Sequence, residues 1–207
     1  MADKDAVRRG YDDVAETYAA ERSDEGRDVD IVDRFLTPIP ASARILDAGC
    51  GQGTPVLRQL GAAATAVGVD FSRGQLTLAT ENAPGAALTQ GDMTGLPFRD
   101  DAFDAVTAYH SLIHVPPEDH QTVVDEFARV LRPGGRLLVS EGPEEWSGAN
   151  SNWLESGVEM QWAIAGADAT REQLRTAGFT VTEEWGAPNT LADDDARWVF
   201  FSARLDA

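Results

Sequence analysis

Ile45-Leu46-Asp47-Ala48-Gly49-Cys50-Gly51-Gln52-Gly53-Thr54 carries a short apolar run ending in an acid, then three glycines at alternate positions, and a helix-compatible segment from Pro55 to Leu60 follows. Glycine is needed where the backbone takes φ > 0 or lies against a ligand with no intervening Cβ. A strand that turns through such a loop into a helix puts free N–H groups at the carboxyl edge of a sheet. Open α/β sheets bind small molecules at that edge. The stretch therefore predicts a nucleotide-like ligand above a parallel sheet.

A glycine-rich turn alone does not say which ligand. The dinucleotide pattern G-x-G-x-x-G would place its third glycine at position 54, which is Thr54 here, and the third glycine is Gly53. The next strand, Ala66-Val67-Gly68-Val69-Asp70, ends in an acid suited to ribose hydroxyls. Gln90-Gly91-Asp92-Met93 follows a third apolar run, and then come Leu96-Pro97-Phe98 and Phe103-Asp104-Ala105-Val106. After a helix, Leu131-Arg132-Pro133-Gly134-Gly135-Arg136-Leu137-Leu138-Val139 turns into another strand.

That ordered set resembles the class I S-adenosylmethionine-dependent methyltransferases over residues 8 to 205, and most closely the small-molecule branch that includes quinone-biosynthesis enzymes. The resemblance implies a Rossmann-like, mostly parallel seven-stranded sheet with helices on both faces. Residues 1–207 then form a single domain, with cofactor-covering helices in 1–40 and an acceptor-covering lid in 143–168.

The local patterns agree. Val7, Tyr11, Val14 and Tyr18 make one stripe of a helix over 5–20, and a second helix is expected from Val29 to Leu36. Ser72 with Gln75 reads as a capping box for a helix over 73–82, and Thr170 with Gln173 as another, opening a helix that stops at Gly178. Pro116-Pro117-Glu118 opens a helix with Val123, Val124, Phe127, Val130 and Leu131 on one face. Strand four is expected at Phe103–Ala108. Phe179–Trp185 and Arg197–Leu205 read as a closing antiparallel hairpin, joined by a loop with Pro188 and Asp193-Asp194-Asp195.

The resemblance assigns site roles residue by residue. Asp47, Gly49, Gly51 and Gly53 would wrap the methionine part of the cofactor. Asp70 would accept both ribose hydroxyls, Phe71 would pack on adenine, and Asp92 and the Met93 amide would bind the base edge. Tyr109 would lie near the sulfur. Tyr11 and Tyr18 would face the sulfonium from the covering helix, where a desolvated cation over a ring gains on the order of 2 kcal/mol, or else anchor that helix to the core. Cys50 reads as a small side chain that fits between glycines.

Methyl transfer from a sulfonium needs alignment and exclusion of water, and a general base only if the acceptor holds a proton. His110 and His114, just after strand four, are the candidate bases, or else structural hydrogen-bonding groups. His120 is expected on the surface. Trp146, Trp153, Met160 and Trp162 crowd the segment 143–168 and suggest an apolar or aromatic acceptor, unless they are core packing of an insertion. Ala108-Tyr109-His110-Ser111 lacks the Asn/Asp-Pro-Pro-aromatic motif of base-amino methylation, and no cysteine follows strand four for cytosine-carbon chemistry. No metal-ligand spacing stands out. A protein that binds the cofactor without methyl transfer is the alternative from another class.

Composition bounds the rest. Acids outnumber bases 35 to 17 for a net charge of −18, and Lys4 is the single lysine against sixteen arginines. Such charge repels itself in dilute buffer, whereas molar salt shortens the screening length to about 3 Å. The chain reads as a salt-adapted cytoplasmic protein of a halophile, or as an acidic protein from a GC-rich genome. The absence of a basic cluster argues against nucleic acid, no apolar run is long enough to span a membrane, and the acidic N-terminus argues against a secretory signal. One cysteine excludes an internal disulfide. A homodimer is left open.

Overall fold

The computed structural model describes residues 3–21, 27–188 and 197–206, so the expected Asp193-Asp194-Asp195 loop lies outside the described residues. The helices are α1 (Lys4–Asp13), α2 (Ala15–Glu21), α3 (Arg27–Leu36), α4 (Val56–Ala63), α5 (Arg73–Asn82), α6 (His120–Val130) and α7 (Ala167–Thr176). The strands are β1 (Arg44–Ala48), β2 (Thr65–Asp70), β3 (Ala87–Gln90), β4 (Phe103–Ala108), β5 (Leu131–Glu141), β6 (Trp146–Trp153), β7 (Val158–Ile164), β8 (Phe179–Pro188) and β9 (Arg197–Leu205).

Seven strands form one sheet in the order β3-β2-β1-β4-β5-β9-β8, and β6 with β7 makes a separate antiparallel hairpin. The pairings from β3 to β5 are parallel, while β9 runs antiparallel to both β5 and β8. The order reverses between β1 and β4, which opens a crevice at their carboxyl ends.

Side-chain alternation divides the core between the two faces. Leu46, Val106, Leu137 and Phe201 pack with Val123, Phe127 and Leu174 of α6 and α7. Their neighbours Ile45, Ala105, Leu138 and Phe200 pack with Phe35, Leu57 and Leu60 of α3 and α4. Strands apolar on both faces are what a sheet covered twice requires.

Three local expectations are corrected. The N-terminal helix breaks at Val14, although its stripe survives, with Val7 and Val14 buried in a satellite cluster beside Tyr11 and Tyr18. Thr170 does not cap α7, which begins after Gly166. Thr170 lies inside the helix with its hydroxyl donating to the Gly166 carbonyl at 3.1 Å, the back-bonding that competes with capping. His120 is fully buried rather than on the surface. Its Nε2 is 2.9 Å from the Val115 carbonyl and its Nδ1 is 3.8 Å from the Glu141 carboxylate. Burial holds the His120 imidazole below its usual value and pushes Glu141 up to about 7.

Within the segment 143–168 the chain forms the hairpin β6–β7. Met160 is buried, Trp153 nearly so, and Trp146 is half exposed. Trp153 packs edge-on to Tyr11 at 5.5 Å between ring centroids, and against Tyr18 and Trp162 at 5.4 and 5.8 Å. The hairpin and α1 are thus joined by aromatic contacts.

Candidate functional site

The carboxyl edge of the sheet holds a cleft that takes in about 870 Å³ of empty space, its solvent-open mouth included. Asp47 is the penultimate residue of β1, Asp70 ends β2, and Asp92 follows β3. The cleft gathers these acids, Gly49, Gly51, Phe71, Met93, Tyr109, His110, Tyr11, Tyr18 and His114. Gly53 is not among its walls and sits behind the loop against Ala79 of α5.

The glycine loop works differently from the expectation of free amides. The Gly49 and Cys50 amides both donate to the Val69 carbonyl, Gly51 N–H donates to Asp70 Oδ2 at 2.8 Å, and Gly53 N–H donates to the Cys50 carbonyl. Four loop donors are therefore committed within the protein. What the glycines provide is shape. At Gly49 (φ +76°) a Cβ would stand 2.3 Å from the Ser111 Cβ. At Gly51 (φ +53°) it would project into open space, with only Gln75 Oε1 within 4 Å at 3.7 Å. A side chain at 51 would fill the cleft that the loop frames.

Each acid has a distinct environment. Asp47 is buried and accepts the Thr107 hydroxyl at 2.7 Å. Asp70 accepts the Ser72 and Gly51 amides, both at 2.8 Å. Burial pushes its carboxyl from 3.8 up to about 6 against those two bonds. Asp92 is half exposed and accepts from the Thr94 amide and hydroxyl and from Lys4 Nζ at 2.9 Å. Burial opposes its ionisation, yet the bonds from Thr94 and Lys4 hold its carboxyl below the usual range. Cys50 is buried, and burial with the charges of Asp70 and Asp47 drives its thiol well above its usual value. A thiol so placed stays protonated and inert.

The roof is aromatic. Tyr11 and Tyr18 meet edge-to-face at 5.4 Å, and the His114 ring lies 5.1 Å from Tyr11. His114 is buried, with Nδ1 3.1 Å from the Gln161 carbonyl and Nε2 2.8 Å from the Tyr11 hydroxyl. A carbonyl only accepts, so Nδ1 carries the proton and Tyr11 donates to Nε2. Burial pulls the imidazole down to about 4 despite the Gln161 bond. His110 has φ +53° and its amide donates to Ser140 Oγ at 2.6 Å. Its ring packs among Tyr109, Trp198 and Phe200.

Ser111, Gln75 and Lys4 also line the cleft. Lys4 carries no local signal in the sequence, since it reaches the site through Asp92, a long-range contact.

Residues 46–139 match a family model described as a methyltransferase domain. Over 135 residues the chain is 40% identical to the demethylmenaquinone methyltransferase of Streptomyces avermitilis, a match covering 63% of this chain and 58% of that protein. It is 38% identical over 113 residues to the 27-O-demethylrifamycin SV methyltransferase of Amycolatopsis mediterranei, covering 51% of this chain and 41% of that protein. The chain spans about half the length of the curated relatives it matches. Its fold is that of the 1,6-didemethyltoxoflavin-N1-methyltransferase of Burkholderia thailandensis, solved with 1,6-didemethyltoxoflavin and S-adenosylhomocysteine bound. The TM-score is 0.78 at 19% identity, over 98% of this chain and 88% of that one.

Proposed function

We propose that this chain is an S-adenosylmethionine-dependent methyltransferase acting on a small-molecule acceptor. The observation that carries the reading is the convergence, in one cleft, of three acids at the ends of successive strands around a loop whose Gly51 leaves open the space a side chain would take. The donor set fits an adenosyl amino acid. Asp47 is placed for an ammonium group, Asp70 for the ribose diol and Asp92 for the base edge. Phe71 and Met93 supply apolar walls for adenine. When bound, S-adenosylmethionine supplies the methyl group that an acceptor nucleophile takes.

The protein's part is to hold the acceptor in line and keep water out, which well-oriented reactants convert into roughly 7–11 kcal/mol. Tyr11, Tyr18, Tyr109 and His110 form an aromatic wall that suits an apolar or aromatic acceptor. His114 serves this wall as the neutral acceptor for the Tyr11 hydroxyl. Its low basicity makes it a weak proton acceptor, so His110 is the stronger candidate where the acceptor must lose a proton. Tyr11 and Tyr18 stand on this side of the cleft, and the β6–β7 hairpin packs against them through Trp153. The excess of acids also supports adaptation to high salt.

Calorimetric titration with S-adenosylmethionine, S-adenosylhomocysteine and NADH tests the reading. Binding of the first two and not the third is expected, with Asp70→Ala weakening both by at least about tenfold, since a hydrogen bond to a charged group contributes about 1.5–3 kcal/mol. Preference for NADH would overturn it. Tight binding with no S-adenosylhomocysteine release across a broad acceptor panel would favour a binding protein over an enzyme.

A further inference from the structure

Asp12 stands next to Tyr11 on α1, yet its carboxylate is tied to the first turn of α5. Oδ1 accepts the Ser72 hydroxyl at 2.7 Å and the Gly74 amide at 2.9 Å, and Oδ2 accepts Arg8 Nη1 at 2.9 Å. The same Ser72 donates its backbone N–H to Asp70 Oδ1 at 2.8 Å and accepts the Gln75 amide on its hydroxyl oxygen at 3.1 Å. One serine thus bridges the carboxylate of the covering helix and the carboxylate at the end of β2. The approach is close. A Cβ on Gly74 would lie 3.1 Å from both the Cα and the carbonyl oxygen of Asp12.

The arrangement has a physical logic. An anion at a helix N-terminus is favoured by the helix dipole and by charge-assisted bonds from the first turn. A hydroxyl has one proton to give, and giving it to Asp12 fixes the rotor and leaves its oxygen facing Gln75. Without Asp12 the hydroxyl can turn and the Ser72 turn loses its outer tether.

We propose that Asp12 is a positioning residue for the ribose-binding carboxylate: docking of α1 on α5 sets the Ser72 turn, and that turn sets Asp70. Cover and ribose grip are then formed together. The proposal rests on the cofactor reading given above.

S-adenosylhomocysteine binding to wild type, Asp12→Ala, Ser72→Ala and the double variant tests it. Each single change is expected to weaken binding about tenfold, and the double change only about as much as the worse single one, because both cut one link. Asp12→Asn keeps an acceptor for Ser72 and Gly74 and is expected to retain most of the affinity. It removes a negative charge that helps hold the Asp70 carboxyl high. The midpoint of the pH dependence of binding should then move down in Asp12→Asn. The Cys50 thiol of the glycine loop and Asp47 also stand near Asp70, but the thiol, pushed up by burial and by those two carboxylates, stays protonated and carries no charge toward it. A role in stability alone would lower the melting temperature and leave that midpoint in place.

Binding by Asp12→Ala within about twofold of wild type, fully additive losses, or an unmoved midpoint in Asp12→Asn would each overturn the proposal. If Asp12→Ala does not fold, Asp12→Asn decides. Failure of the wild-type chain to bind S-adenosylhomocysteine would instead overturn the cofactor reading beneath it.

Discussion

Asp70 shows how one buried carboxylate sets two opposite pH responses. Its carboxyl sits at about 6, raised first by burial and held from going higher by the Ser72 and Gly51 amides. A value raised in the folded state contributes stability that is complete below about pH 4 and is lost as the pH rises through about 6. Ligand binding has the other sign, because ribose hydroxyls need an ionised acceptor. Affinity for S-adenosylhomocysteine should be constant above about pH 7 and fall toward lower pH, reaching roughly tenfold weaker near pH 5. Calorimetry at those two pH values reads this directly, and a flat profile would mean that Asp70 does not hold the nucleoside. His114, at about 4, should leave no inflection of its own between pH 6 and 8.

At the scale of elements, α1 and the β6–β7 hairpin are joined by aromatic rings and through His114, which bonds Tyr11 on one side and the Gln161 carbonyl on the other. Tyr11→Phe leaves His114 Nε2 without its donor, and an orphaned buried acceptor costs about 1–3 kcal/mol. Trp153→Ala empties the space between Tyr11, Tyr18 and Trp162. Both changes act on a satellite cluster rather than the main core, so the expected result is local opening of α1. Trypsin cleavage after Arg8 and Arg9 should accelerate several-fold in Trp153→Ala, with weaker S-adenosylhomocysteine binding. Unchanged cleavage and unchanged activity would show that the tryptophan merely fills space.

The whole molecule carries 35 acids against 17 bases, so 18 acids have no cation to match them even if every base is paired. Several of the ion pairs that form are close in sequence and solvent-facing, such as Arg175 with Glu172 and Arg171 with Asp168, and pairs of this kind contribute about 0–1 kcal/mol. Repulsion among the rest is long-ranged in dilute buffer and screened within about 3 Å in molar salt. Thermal melting should therefore rise from 0.1 M to about 3 M KCl. Equal or higher stability in the dilute buffer would refute salt adaptation. Among the described residues no helix is long and apolar enough to cross a membrane.

Periodicity and local chain chemistry were enough to read strand β4 at Phe103–Ala108, the Ser72 cap and the acids at the strand ends. All of these follow from side-chain spacing or from contacts within a few residues. Even the Ser72 capping box is only half made, because its backbone N–H goes to Asp70 and Gln75 reaches the Tyr11 carbonyl instead. The fate of a donor, the burial of His120 and the pairing of Trp153 with Tyr11 depend on which distant segments meet. A free loop amide and one bonded to Asp70 have the same local sequence, and only the packed sheet, with β2 beside β1, distinguishes them.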